Sequence, residues 1–285
     1  MGRYQMVNCQ RTQARARSLQ SESPDGGHMN SATSDRVTSL DLLPGVPAEH
    51  VLERLAEAEG DEIASGKFIS PESSAALAVN CFGWFIPRPE GLPALPGLEN
   101  AGRPDLVDVE FCARFPWAGG KHPWLDAVVQ TSNTLIGVES KRFEPFRDRK
   151  KVGFSDAYDR DVWGPDMKRF ARMRDRLRSG DIMFEHLDAA QLVKHAFGLV
   201  TTARRRSLAA ALFYVFAEPE SRNGRPIDRA ALERHRQEIA LFAGEVDGDE
   251  VTFRFASYRD WFATWSDAEP DLVMHRDALI ERFAP

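Results

Sequence analysis

Glu139, Ser140 and Lys141 close an apolar run, Leu135-Ile136-Gly137-Val138. Side chains alternate along a strand, so Glu139 and Lys141 project to one side and Ser140 to the other. Asp126 lies in a second such run, Leu125 to Gln130 (LDAVVQ), and Thr131-Ser132-Asn133 forms a short polar turn between the two. Hairpin pairing through that turn makes paired residue numbers sum to about 264, which sets Asp126 opposite residue 138 and its Cβ within about 4.5–8 Å of position 139. Two carboxylates that close repel, and a shared hard cation relieves the repulsion. Mg²⁺ takes one or two carboxylates together with water and phosphate, and Mn²⁺ can stand in for it. Lys141 beside such an ion would position or help deprotonate a water, or stabilise charge on a phosphate. That is chemistry for hydrolysing a phosphodiester. An E-x-K triplet is also an ordinary charge pair on a strand face, so its meaning depends on the elements around it.

Those elements are legible. Val51, Leu52 and Leu55 have helical spacing within 47–59. Ser70 as N-cap and Pro71 at the first position predict a second helix, with Ala76, Leu77, Val79 and Phe82 as its apolar face. Five prolines between 87 and 104 mark a loop. Residues 106–115 (LVDVEFCARF) alternate imperfectly and, with 125–130 and 134–143, predict an antiparallel three-strand meander. Pro165 opens a helix with Phe170, Met173 and Leu177 as its stripe. Asp188 caps another, whose stripe is Leu192, Ala196 and Leu199. Residues 208–217 (LAAALFYVFA) suit a strand covered on both faces. A helix from Asp228 to about Gly244, a strand over 251–257 and two helical stretches complete the chain. The expected fold is α/β (an α+β mixed sheet): a three-stranded antiparallel meander plus further strands, flanked by helices on both faces, with one core.

The composition narrows the function. The chain has 285 residues and a net charge of -6, with hydrophobic residues at 42% and charged residues at 28%. It can bury a sizeable core and is not a uniformly basic binder. Residues 1–40 are polar and rich in Gln, Arg and Ser, and read as a disordered tail ahead of a single domain over 41–285. Met29 within that tail is an alternative start. Three cysteines without CxxC spacing give neither a disulfide framework nor a zinc site. With no run of 18 apolar residues and no signal-peptide core, no membrane span is expected and the default compartment is the cytoplasm. The Walker, GxGxxG, HExxH and GxSxG patterns are absent.

The order of elements, with an aspartate on the second strand and E-x-K on the third, resembles the PD-(D/E)XK nuclease superfamily, the restriction-endonuclease-like fold. SSAALAVNCFGWF, LDAVV, LIGVESKRFEPF and DVWGPDMKRF are also similar to stretches of bacterial restriction-endonuclease-like proteins. The resemblance spans residues 68–265. It implies a Mg²⁺-dependent endonuclease acting on DNA, used in restriction or defence, often as a homodimer. Asp126 and Glu139 match the metal-binding acids and Lys141 the motif lysine. Glu72 or Glu110 would supply an additional glutamate. No proline precedes Asp126; the literal Pro104-Asp105 pair leaves Asp105 and Asp108 as alternatives.

Other residues carry two readings each. Residues 141–178 hold thirteen Lys or Arg against seven Asp or Glu. This is either a DNA-holding face, with Arg142, Lys168, Arg169 and Arg172 as contacts, or a solvated helix surface. Arg204-Arg205-Arg206 either touch nucleic acid or complement a helix C-terminus. Tyr158, Asp161 and Trp163 stack on bases or, more in keeping with buried aromatics, pack a helix start. Gln130 shares a face with Asp126 and joins the candidate site. His195 lies on a helical stripe and reads as structural; His122 precedes the second strand. A non-catalytic nucleic-acid-binding module on the same fold, or a metal-dependent enzyme acting on RNA, are the competing functions.

Overall fold

The computed structural model describes residues 42–58, 63, 65–147 and 152–285. The segment read as a tail, with Met29, lies outside them. Among the described residues, helix α1 spans Ala48–Glu57 and α2 Ser74–Gly83. Strands β1 (Pro104–Cys112), β2 (Trp124–Thr131) and β3 (Thr134–Lys141) follow. Next come α3 (Lys168–Ser179), α4 (Ala189–Arg206) and β4 (Ala209–Phe216). A small hairpin, β5 (Ser221–Arg222) and β6 (Arg225–Pro226), leads to α5 (Arg229–Val246). Strand β7 (Val251–Ser257) and helices α6 (Tyr258–Phe262) and α7 (Pro270–Phe283) complete it. No described helix is long and apolar enough to cross a membrane.

The main sheet has the order β1-β2-β3-β4-β7. The expected meander is present: β1–β2 and β2–β3 are antiparallel. Strands β4 and β7 add in parallel to β3, because α4 and α5 provide the long crossovers that parallel strands need. The register differs from expectation by one residue. Ala127 pairs with Val138, so paired numbers sum to 265 and Asp126 falls opposite Glu139. Thr131 joins the strand and its hydroxyl, accepting from the N–H of Thr134 at 3.1 Å, tightens the turn.

Two further expectations are corrected. Helix α2 is capped by Ser73, whose Oγ accepts from the N–H of Ala76 at 3.0 Å, three residues after Ser70. Ser70 instead accepts from Glu72 in a local turn, a use of serine that competes with helix capping. Buried residues also form two clusters rather than one core. One lies between the sheet and α1, α2, α6 and α7; the other lies between the sheet and α3, α4 and α5. A sheet covered on both faces separates its two apolar layers.

Strict alternation breaks at one place, and the break shapes the site. Val109 and Ala127 belong to the α2-side cluster, while Phe111 and Leu125, two residues along in each strand, pack on the α4 side. Alternation would have kept each pair on one face. The change falls at Glu110 and Asp126, which lie between the paired positions 109/127 and 111/125. Glu110 accommodates it with φ of +50°, a left-handed conformation that a residue with a Cβ adopts at a cost of about 1–3 kcal/mol. Leu125 then fills the space left by Gly137, where an added Cβ would lie 2.6 Å from its Cδ1.

Helix α4 seats against the far side of β1 through Gly198. A Cβ there would lie 2.5 Å from the Ala113 carbonyl oxygen and 2.7 Å from Pro123. A backbone atom cannot swing away as a flexible side chain does. Gly198→Ala is therefore expected to lower stability by about 1–3 kcal/mol in denaturant titration; an unchanged midpoint would contradict this seating of α4.

Candidate active site

A cleft of about 590 Å³ opens where β3 ends. Its walls include Glu72 and Ser74 from the start of α2, Glu110 of β1, Asp126 of β2, Lys141 of β3 and Glu144 just beyond it. Ser74 Oγ donates to Glu144 Oε1, and Glu144 Oε2 accepts from the N–H of Arg142 at 2.9 Å. The capped start of α2 is thus fastened to the end of β3. Asp126 Oδ2 accepts from the N–H of Ser140 at 2.7 Å. Ser140 itself turns to the other face, where its Oγ shares a hydrogen bond with Tyr258 at 2.8 Å.

Glu139 and Lys141 project to the same side, as alternation requires, but they do different things there. The Glu139 side chain is 2% exposed. One of its oxygens meets Lys141 Nζ and the other lies 3.0 Å from Nδ1 of His195 on α4. Burial alone would raise its pKa; Lys141 and His195 outweigh that and take it down to about 2. Lys141 is balanced the same way: burial would lower its pKa, and Glu139, Asp126 and Glu144 hold it above the usual lysine value. Its ammonium therefore stays protonated and is a fixed positive charge beside the cleft.

Asp126 is the exception. Burial, then the charges of Glu139 and Glu110, raise its pKa well above the ordinary aspartate value, against the opposing pull of Lys141 and the Ser140 N–H. The charges nearest Asp126 are mostly negative. Asp126 and Glu110 are the acids of this group that line the cleft, with Glu139 directly behind Asp126 and Lys141. Among the described residues, no three His, Cys, Asp or Glu side chains converge as a ready metal cage.

The remaining candidates separate cleanly. Glu72 reaches the cleft and pairs with Arg147 and Arg222, each at 2.8 Å, which hold its pKa down. Gln130 does not reach it: it sits at the turn end of β2 and accepts from Arg206 at 2.7 Å. Arg142 is buried, its guanidinium donating to the carbonyls of Pro71 and Phe283, so it is a latch and not a surface contact for nucleic acid. Lys168, Arg169 and Arg172 are exposed, but at the opposite end of the sheet. Asp249 accepts from the N–H groups of Arg169 and Phe170, two residues before β7, whose Val251 registers through Ala210 with Leu135. Leu135 to Lys141 is six strand residues, roughly 20 Å. Local charge counting put these residues beside the site; the crossover took them away from it. Arg204 pairs with Glu250, and Arg205 donates to the Phe115 carbonyl, at that same end.

Asp105 starts β1 by the turn, and Asp108 pairs with His50 and Arg54 of α1; neither lines the cleft. Trp163 stacks on Phe197 at 4.2 Å and donates to the Tyr158 carbonyl, which is packing. His122 accepts from the N–H of Phe115 in the β1–β2 connection. Two site residues escaped the sequence reading. His195 is buried on α4 as expected, yet it touches the key glutamate. Glu144 lies three residues past Lys141, and its charge was legible but its return toward Ser74 was not.

A mixed five-stranded sheet flanked by helices, with an acidic cleft at the end of its central strand, is the restriction-endonuclease-like fold. The model of the family described as restriction endonuclease associating with ARP matches residues 10–284, and the chain belongs to that family. No curated protein and no solved structure matches it.

The two acids should respond oppositely to neutralisation. Asp126 has a raised folded pKa, so its favourable contribution is present below the unfolded pKa and is lost as pH rises through the folded one. Asp126→Asn keeps an acceptor for Ser140 and should raise Tm at pH 7 by about 2–4 °C. Glu139, with its pKa lowered to about 2, contributes stability above pH 4.5 that is lost as pH falls toward 2. Glu139→Gln should destabilise by about 3–5 kcal/mol at pH 7 by leaving buried charge unpaired. Equal shifts of the same sign would show that the cluster is not charged as described.

Proposed function

We propose that this chain is a Mg²⁺-dependent endonuclease that hydrolyses phosphodiester bonds in DNA at the cleft beside Asp126 and Lys141. The carrying observation is the excess of negative charge around Asp126, next to a lysine held protonated. The donor chemistry fits the ion: oxygen ligands, two of them facing the cleft, with room for water and a phosphate. Asp126 and Glu110, which face the cleft, would hold it, Glu139 would join them only by giving up its contact with Lys141, and Mn²⁺ would substitute. The bound ion supplies Lewis acidity to the scissile phosphate and a lowered pKa to a bound water.

The protein's own groups supply the rest. With a cation in the cleft Asp126 would ionise, its proton passing to solvent water, and its carboxylate would orient the attacking water. Lys141 stays protonated, so it acts as a charge on the phosphate oxygens and not as a base. His195 and Glu139 fix the position of Lys141 from behind. Lys67 and Arg147 line the cleft wall and would take neighbouring phosphates of the substrate strand, Arg147 by leaving Glu72. The family supports the nuclease reading, and its restriction-endonuclease description favours DNA over RNA.

The test is cleavage of supercoiled plasmid DNA, with an RNA of matched length alongside, in Mg²⁺ or Mn²⁺. Lys141→Met should lower the rate by about 10²–10³-fold with the fold retained by circular dichroism. Mn²⁺ should raise the Tm of the wild type but not of Asp126→Asn. If the wild type cuts and both variants cut equally well, the site is wrong. If Mn²⁺ leaves every Tm unchanged and nothing is cut, the chain is a binding module on this fold.

A further inference from the structure

A second cavity, about 630 Å³, lies at the same end of the sheet as the acidic cleft. It is enclosed by segments that leave the carboxyl ends of three parallel strands, Arg142 and Phe143 after β3, the chain at 219–221 after β4 and α6 after β7, and by α7 with the residues that follow it. Ligands in open α/β sheets bind outside those strand ends. A thin partition separates it from the cleft. On the cleft side stand Lys141 and Glu72; on the cavity side stand Arg142 and Ser221, and Arg222 donates to Glu72 at 2.8 Å across the boundary.

Its lining is of two kinds. Phe143, Phe262 and Phe283 are nearly fully buried and form apolar walls, while Ile280 is 46% exposed at the opening. The Arg142 guanidinium lies 4.9 Å from the Phe143 ring centroid and 5.3 Å from that of Phe283, which rigidifies this wall. At the rim, Arg276 is taken up by Asp267 and Asp277. Arg259 differs: its exposed guanidinium has no hydrogen bond or ion pair among the described residues. Glu220 adds to the lining an exposed carboxylate that is unpaired among the described residues. An apolar chamber with one uncommitted guanidinium and one uncommitted carboxylate matches a flat, apolar-faced group that carries both an anion and N–H donors, as a nucleotide does.

We infer that this cavity is a nucleotide subsite, which takes a base of the substrate strand against Phe262 and Ile280 and its phosphate on Arg259. The inference rests on the nuclease reading for the source of the nucleotide. Lys141 lines the cleft and Arg142 the cavity on either side of the end of β3, so the proposed strand would run from Lys141 across the partition to the cavity mouth. A base seated there has left its stack, and burial against aromatic and aliphatic walls compensates the lost stacking.

Binding can be measured without catalysis. Saturation-transfer NMR in EDTA would follow the four deoxynucleoside 5′-monophosphates and a single-stranded 12-mer carrying 2-aminopurine, with inorganic phosphate as control. The expected result is transfer to base protons, with the 12-mer binding at least about tenfold tighter than any monophosphate. Ile280→Glu should weaken both by about tenfold or more, and Arg259→Gln by several-fold. Both positions are exposed, so both variants should fold. The subsite is overturned if no monophosphate binds, or if Ile280→Glu and Arg259→Gln have no effect. Monophosphates that bind while the 12-mer neither binds nor competes would overturn the strand as source. Should plasmid cleavage fail while these bindings hold, the nuclease reading falls and the subsite stands.

Discussion

A buried glutamate governs this protein. The Glu139 carboxylate sits at the end of the central strand with almost no access to water. An unpaired ion there would cost several kcal/mol, so the surroundings must supply positive charge. Lys141 does so from the same strand, two residues on, and Nδ1 of His195 on α4 meets the other carboxylate oxygen at 3.0 Å. Both the crossover helix and the meander are positioned by that requirement. The seat of α4 on Ala113, through Gly198, is the packing that brings His195 within reach.

The consequence appears one strand away. Because Lys141 is committed to Glu139, Asp126 has carboxylates nearby and too little countercharge, and its proton is held tightly. The face switch at Glu110 and Asp126 presents both acids at the cleft instead of on either core face. Functional sites commonly store unfavourable terms of this kind: a strained backbone at Glu110 and a penalised ionisation at Asp126. The surrounding sheet, fully covered on both faces, holds them in place. Two cavities on either side of the end of β3, one acidic and one apolar, then share a single partition built from Glu72, Arg142 and Arg222.

Much of the fold is written locally. Alternation and the polar turn at 131–133 specify the meander, and the unbroken apolar run before Glu218 specifies a strand buried on both faces. Asp188 and Asp228 announce their helices because a carboxylate satisfies orphan N–H groups at a helix start. Ser70 misled because serine also makes local turns, and the choice between Ser70 and Ser73 was settled by contacts at Glu144 and Arg142, far along the chain.

The sequence by itself determined that an aspartate and an E-x-K lysine would meet across a hairpin, since a short polar turn between two apolar runs fixes their pairing to within the one residue by which the register differs. Only the tertiary structure decided which acids face the cleft, because that depends on a break in alternation shared by two strands. It also decided the fate of the basic residues. Arg142, adjacent to the site in sequence, is consumed as a latch, and Arg169 at the start of α3 ends up roughly 20 Å away along the strand direction, since a parallel crossover carries the chain to the opposite end of the sheet. Charge and periodicity are local properties; what a charge faces is set by elements a hundred residues apart.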